Sequence, residues 1–211
     1  MRFVNIRWAG LDLVATNQTF LPRESSLGLL EAARNVLARG VFRRPTRLID
    51  MCCGSGALGI AIYLANRPCF ESVYFLDSSP QAVASAEANR AAHGVPGWAK
   101  RWRAGEALTP CEPALVICNP PFMEPSSARQ LAAWERKCVS SPKGGLAVIG
   151  SCFQSLAGSG HSLLLKCLFK QIRAVTTLTR AYRMTQVYGD ASGETAFSFW
   201  SPEPESARCV A

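Results

Sequence analysis

The sequence predicts an α/β protein built on one doubly wound, mostly parallel sheet of seven strands. Helices are expected on both faces, with an antiparallel C-terminal edge hairpin and a small N-terminal hairpin annex. Three observations predict it. Short apolar runs at 47–51, 72–76 and 114–118 read as strands buried on both faces. Segments of helical spacing lie between them, the pattern left by right-handed βαβ crossovers. The 211 residues are 48% hydrophobic and 18% charged, a globular balance with room for one sizeable core.

The elements follow in order. Phe3 to Ile6 and Leu11 to Val14 flank Ala9-Gly10 and predict a hairpin. Leu27, Leu30, Ala33 and Leu37 recur at helical spacing, and Gly40 is a plausible C-terminal cap. Arg47 to Met51 is the first sheet strand, and a glycine loop then opens a helix over Ala57 to Ala65. Ser72 to Leu76 is the second strand, ending at Asp77. Ser79-Pro80 starts a helix, with an N-cap side chain and proline at the first helical position, and Gly94 stops it. Ala99 to Arg103 and Ala114 to Cys118 are strands three and four. A helix is expected over Ser127 to Cys138, strand five over Leu146 to Gly150, and a helix over His161 to Phe169. Ile172 to Thr179 and Thr195 to Trp200 are expected as the closing strands. The resulting division is a hairpin and lid segment at 1–23, a main domain at 24–202 and a frayed tail at 203–211.

Bulk properties exclude some classes. No apolar run approaches the ~18 residues needed to span a bilayer. The first residues, Met1-Arg2-Phe3-Val4-Asn5, carry no apolar signal segment, so a cytoplasmic protein with no membrane association is expected. Nine cysteines are scattered with no Cys-x-x-Cys pair, and adjacent Cys52-Cys53 suits neither a zinc clamp nor a redox pair. They read as reduced thiols, mostly small core residues, and no metal site is expected. The net charge of +8 is consistent with a nucleic-acid partner or with a merely solvated basic surface. The clusters are loose, at Arg39, Arg43, Arg44 and Arg47 and at Lys100, Arg101 and Arg103. Oligomeric state is left open.

Two motifs carry chemistry. In Asp50-Met51-Cys52-Cys53-Gly54-Ser55-Gly56, glycines 54 and 56 let backbone approach a ligand, and the next helix presents free N–H groups. Asp77 lies 21 positions after Gly56, at the end of the next strand, where a carboxylate can accept from both ribose hydroxyls. A nucleoside cofactor is implied, either S-adenosylmethionine or a nicotinamide dinucleotide. The Gly-x-Gly-x-x-Gly fingerprint is missing, which disfavours the dinucleotide and an oxidoreductase. A plain strand-to-helix turn is the structural alternative. The second motif is Asn119-Pro120-Pro121-Phe122, directly after a strand. Proline ends a ladder, so this is a rigid loop at a strand's carboxyl end, where open α/β sheets place their ligand crevice.

Together these residues resemble class I S-adenosylmethionine-dependent methyltransferases, with a Rossmann-like sheet. The closest likeness is to the branch with release-factor glutamine methyltransferases and exocyclic-amine nucleobase methyltransferases. Leu21-Pro22-Arg23-Glu24 also resembles the Pro-Arg segment ahead of the core in the glutamine branch. The likeness covers about residues 20–150. It implies S-adenosyl-L-methionine as cofactor and S-adenosyl-L-homocysteine as product. The implied cofactor residues are Asp50, Met51, Cys52, Gly54, Gly56, Asp77, Ser78, Glu106 and Asn119. The implied catalytic residues are Asn119, Pro120 and Phe122. Two departures stand out. Cys52 replaces the wider superfamily's first loop glycine, and Glu106 stands where aspartate is commoner near the adenine. The helical N-terminal domain of the glutamine enzymes is absent from the pattern.

The chemistry expected is N-methylation of a planar amide or aryl amine. Asn119 would offer its side-chain oxygen and Pro120 its carbonyl to the NH₂ protons, and Phe122 would stack on the plane. No strong base is required, which agrees with only two histidines, His93 and His161, neither beside a motif. The acceptor stays open between a protein glutamine, a nucleobase and a small metabolite of a biosynthetic pathway. A non-catalytic cofactor-binding subunit is the alternative from another class, which an intact Asn119-Pro120-Pro121-Phe122 disfavours.

Overall fold

Strand β3 (Thr46–Met51) runs up the centre of the sheet, because Leu48, Ile49 and Met51 are all apolar and both faces are covered. The computed structural model describes residues 3–16, 19–40, 42, 46–108, 112–190 and 192–203. Arg43, Arg44 and nearly all of the expected tail at 203–211 lie outside those residues.

The chain opens with an antiparallel hairpin, β1 (Phe3–Trp8) and β2 (Leu11–Thr16). Helix α1 (Leu27–Ala38) follows, and left-handed Gly40 donates to the Leu37 carbonyl at 3.0 Å. Next come β3, α2 (Ala57–Ala65), β4 (Phe70–Asp77), α3 (Pro80–Ala92), β5 (Gly97–Arg101) and β6 (Leu115–Cys118). The Ser79 hydroxyl accepts from the Ala82 N–H at 3.3 Å, so α3 starts at the expected cap. Then come α4 (Ala133–Val139), α5 (Leu146–Leu156), β7 (Ser162–Leu168), α6 (Ile172–Thr176), β8 (Tyr182–Gly189) and β9 (Thr195–Pro202).

The main sheet has seven strands in the order β5-β4-β3-β6-β7-β9-β8. The first five are parallel, while β9 runs antiparallel to both β7 and β8. Leu48, Leu115, Ile117 and Phe75 pack with α1, α2 and α3 on one face. Ile49, Met51, Val116 and Cys118 pack with Ile149, Cys152, Phe153 and Leu156 of α5 on the other. Alternate residues of one strand thus serve two cores, which is why these strands read as unbroken apolar runs.

Five expectations are corrected. Leu146 to Gly150 is not a strand but the start of α5; Ile149, Cys152, Phe153 and Leu156 are buried at helical spacing. His161 to Phe169 is not a helix, since Ser162–Leu168 is β7, buried almost throughout. Ile172 to Thr179 gives the short helix α6, and the expected edge strand begins ten residues later at Tyr182. The two swaps cancel in number, so the strand count is still seven. Topology explains them: a parallel β6-to-β7 step requires a crossover, and α5 supplies the helix of it that packs on the sheet. Finally, the helix expected over Ser127 to Cys138 is confined to Ala133–Val139, with turns before it. Strand three also ends two residues early, because Trp102 is buried and donates its indole N–H to the Glu106 carbonyl at 3.0 Å.

The hairpin is fastened to α3 by buried polar groups. Asn89 exchanges two 2.7 Å hydrogen bonds with the Val14 backbone and donates to the Ser55 carbonyl at 2.8 Å. The Thr16 N–H donates to the Ser85 hydroxyl at 3.1 Å. Those bonds tie residues 14–16 to the glycine-loop region and carry the chain on to Thr19 and Phe20.

Candidate functional site at the sheet rim

Register brings the two sequence motifs together. Met51 lies beside Leu76 on one side and Cys118 on the other. The glycine loop after β3 therefore rises between Asp77 and Asn119. A cavity of about 870 Å³ opens there, lined by Cys52, Gly54, Asp77, Ser78 and Asn119 together with Pro120, Pro121 and Phe122. Ligand pockets span about 300–1,000 Å³, so this volume can hold a nucleoside cofactor with part of an acceptor.

At the glycine-loop end, Asp77 is held from two sides. Its Oδ2 accepts from the Gly54 N–H at 3.0 Å and its Oδ1 from the Ser79 N–H at 2.9 Å. Burial pushes this carboxyl up to about 6, and the backbone donors oppose that rise. It is ionised at neutral pH and keeps lone pairs for hydroxyl donors. Gly54 has φ +56°, and a Cβ there would lie 3.3 Å from both the Phe20 carbonyl and Cβ. The loop is thus in close contact with the segment leading from the hairpin. Cys52 takes φ +58° and also lines the cavity.

The other implied cofactor residues sit off the cavity. Asp50 is buried beneath α2, where its Oδ2 accepts from the Gly59 N–H at 3.0 Å. Burial raises its carboxyl to about 8, so it is largely protonated at neutral pH. Met51 is in the opposite core. Gly56 adopts φ +78° before α2, and a Cβ on it would meet Ala86 at 3.1 Å. Glu106 is exposed and absent from the lining, which Trp102, Arg103 and Ala104 supply at that edge.

At the opposite end the Pro-Pro-Phe loop is braced from behind. Met123 donates to the Val139 carbonyl at 3.0 Å and accepts from the Ser141 N–H at 3.1 Å. Lys143, Gly144 and Gly145 are three consecutive left-handed residues. A Cβ on Gly145 would lie 2.4 Å from the Pro121 carbonyl oxygen, so no side chain fits. Gln171 donates to the Gly144 carbonyl at 2.8 Å and accepts from the Leu168 N–H at 2.9 Å.

Sequence reasoning missed Lys166, which is only 2% exposed yet lines this end. Its Nζ donates to the Ser25 carbonyl at 2.8 Å and hydroxyl at 3.1 Å, and sits 5.3 Å from the Phe122 ring centre. Burial lowers it to about 8. A lysine inside Leu163-Leu164-Leu165-Lys166-Cys167-Leu168 was the available signal, since an unpaired charge does not enter a core strand without purpose. Arg23, Arg103 and Lys137 also line the cavity, against Asp77 and Glu194 as its acidic members. Arg23 makes an ion pair with Glu135 across the mouth. Neither His93 nor His161 is among the lining residues.

An ionised carboxylate, approachable loop backbone and a rigid amide-bearing loop thus face one shared cavity. No helix among the described residues is long and apolar enough to cross a membrane.

Comparisons with known proteins bear on the same residues. The family described as Methyltransferase small domain matches residues 26–183. A Streptomyces coelicolor protein named ribosomal RNA large subunit methyltransferase G is 33% identical over 152 residues, 69% of this chain and 39% of that one. A Chlamydia trachomatis protein named release factor glutamine methyltransferase is 30% identical over 121 residues, 56% of this chain and 39% of its own. The chain therefore spans about two fifths of the length of these curated relatives. Among solved structures, the Pyrococcus abyssi tRNA (uracil-54, C5)-methyltransferase in complex with S-adenosyl-L-homocysteine aligns with a TM-score of 0.58 at 16% identity. That alignment covers 94% of this chain and 43% of the other, and speaks of the fold alone.

Proposed function

The chain belongs to the methyltransferase small-domain family, whose cofactor is S-adenosylmethionine, and we propose that it methylates a planar amide or aryl-amine nitrogen. One observation supports this most: Asn119-Pro120-Pro121-Phe122 shares its cavity with Asp77 and Gly54. When bound, the cofactor supplies a sulfonium methyl.

The chain's own residues do the rest. Asp77 accepts the ribose hydroxyls, and Gly54 lets the loop backbone come close. Asn119 and the Pro120 carbonyl hold the acceptor NH₂, turning its lone pair toward the methyl. Phe122, backed by Lys166, stacks on the acceptor plane. Orientation of two reactants this way is worth up to ~7–11 kcal/mol, so no strong base is required.

Within that class, RNA is the favoured acceptor. Four cations, Arg23 (paired with Glu135), Arg103, Lys137 and Lys166, line the cavity against two carboxylates, a balance that favours a phosphate-bearing substrate. A relative named for ribosomal RNA points the same way. A protein glutamine is the second reading, carried by the relative named for release factor. The site of action proposed is the cytoplasm.

The test is transfer of labelled methyl into an extract separated into RNA, DNA, protein and small molecules. Label in an RNA base amine that vanishes with Asn119→Ala is expected. Label in protein glutamine transfers the proposal to the second reading. Label on carbon or oxygen overturns the nitrogen-acceptor reading, and cofactor binding without any labelled product supports a non-catalytic subunit.

A further inference from the structure

Nothing in the sequence spacing links Cys52, Cys118 and Cys152, yet the fold gathers their sulfurs within 4.8 Å of one another. Cys52 arrives on the glycine loop, Cys118 is the last residue of β6, and Cys152 lies in the middle of α5. We propose that these three cysteines form a buried trithiolate site for one thiophilic cation, zinc(II) or copper(I), in the floor of the cavity.

The spacing carries the proposal. Zinc holds thiolate sulfur at about 2.3 Å, so two sulfurs across a tetrahedral or trigonal angle stand about 3.8–4.0 Å apart. Cys118 and Cys152 are 3.8 Å apart, with Cys52 completing the triangle. A disulfide would join two of these sulfurs and strand the third. A central ion uses all three. The donor set contains no imidazole and no carboxylate, which selects soft cations over magnesium or calcium.

Access agrees. The thiolate is the form that binds metal, so each S–H gives its proton to solvent as its sulfur–metal bond forms. Cys118 and Cys152 are buried, but Cys52 lines the cavity, which gives the ion a way in and leaves one coordination position facing the ligand space. Occupancy would tie the glycine loop to the residue before Asn119. Cation binding and cofactor binding would then be coupled.

The test uses the reduced full chain, titrated with zinc(II) or cadmium(II) alone in thiol-free buffer. Metal content and thiolate-to-metal ultraviolet absorption are the readouts, neither of which depends on methyl transfer. One cation per chain is expected. Cys118→Ala and Cys152→Ala should each weaken binding by more than the ~10–100-fold that loss of a mere second-layer partner costs. Cys69→Ala, outside the trio, should leave it unchanged. Should an alanine variant misfold, alkylation kinetics of the unaltered chain decide instead: Cys118 and Cys152 are buried with or without an ion, so the bound ion must slow alkylation of Cys52 and leave Cys69 as reactive as before. Substoichiometric binding, undiminished binding in Cys152→Ala, shielding of other cysteines, or a Cys118–Cys152 disulfide in its place overturns the proposal.

Discussion

The two ends of the cavity are built by different physics. At the glycine-loop end, local sequence does almost everything. Gly54, Asp77 and Ser79 lie within one βαβ unit, and backbone N–H groups hold the carboxylate in place. At the Phe122 end, the loop is shaped by distant chain. Gly144, Gly145 and Gln171 brace it, and Lys166 reaches it from β7 while bonded to Ser25. One end is thus a compact motif, and the other is an assembly. The comparison teaches that cofactor use can be common to many chains while acceptor choice is set by parts far apart in sequence.

The sharpest way to break that comparison is Asn119→Ala. If Asn119 grips the acceptor, its loss should lower turnover on the order of 10²-fold, the scale for removing one positioned transition-state hydrogen-bonding group. Cofactor affinity should stay within a few fold, because Asp77 and Gly54 are untouched. Single-turnover methyl transfer and calorimetric titration separate the two effects. Full turnover in the variant would remove the acceptor clamp from the account.

Asp77→Ala addresses the other end. Loss of a hydrogen bond to a charged group costs about 1.5–3 kcal/mol, and the effect should fall on cofactor affinity. The pH dependence has a definite sign. The Asp77 carboxyl titrates at about 6, and only its charged form accepts from both hydroxyls strongly. Affinity should therefore fall as pH drops through about 6, and the alanine variant should lose that dependence. An unaltered dissociation constant by calorimetry would take Asp77 out of the site.

How far each end could be read from sequence follows the same division. The first half of the sheet was legible because its signals are local: apolar runs, Ser79-Pro80, Gly94 and the glycine loop. Between Lys143 and Thr179, helix and strand were exchanged, whereas the closing strand at Thr195 to Trp200 was read correctly. Leucine-rich 162–168 resembles a helix until its burial on both faces is known, and Leu146-Ala147-Val148-Ile149 resembles a strand until a crossover is needed. Periodicity alone cannot separate a short buried helix from a buried strand. For the same reason Lys166 and Gln171, placed by that misread region, were invisible as site residues. Asp50 is a different case. Its position beside the glycine loop suggested ligand contact, whereas its carboxyl faces the Gly59 N–H under α2.

Asp50→Asn tests that buried support without touching the cavity. The folded-state carboxyl titrates at about 8, raised from 3.8 by burial. A raised carboxyl means the folded state holds its proton more tightly than the unfolded chain. The stability this gives is full below about pH 4 and is lost as pH climbs through about 8. Each pH unit inside that window costs at most about 1.4 kcal/mol. Asparagine keeps an acceptor for Gly59 and carries no titrating proton, so its melting temperature should vary less between pH 5 and 8. An equal slope in both proteins would place the titration elsewhere.

The smallest effect belongs to the mouth. Arg23 pairs with Glu135 across the rim, with side chains 46% and 27% exposed. Partly solvated pairs contribute about 0.2–1 kcal/mol, so Arg23→Ala should barely move stability. Its position between hairpin and α4 still matters, because the indole N–H of Trp8 donates to its carbonyl at 3.3 Å and Arg23 lines the ligand space. The side-chain change leaves that backbone bond intact. A modest rise in the Michaelis constant for a phosphate-bearing acceptor, shrinking as salt is added, is therefore expected, with cofactor affinity unchanged. A salt-independent loss of cofactor binding instead would mean that the hairpin segment belongs to the glycine-loop end, and the division between the two ends would have to be redrawn through Phe20.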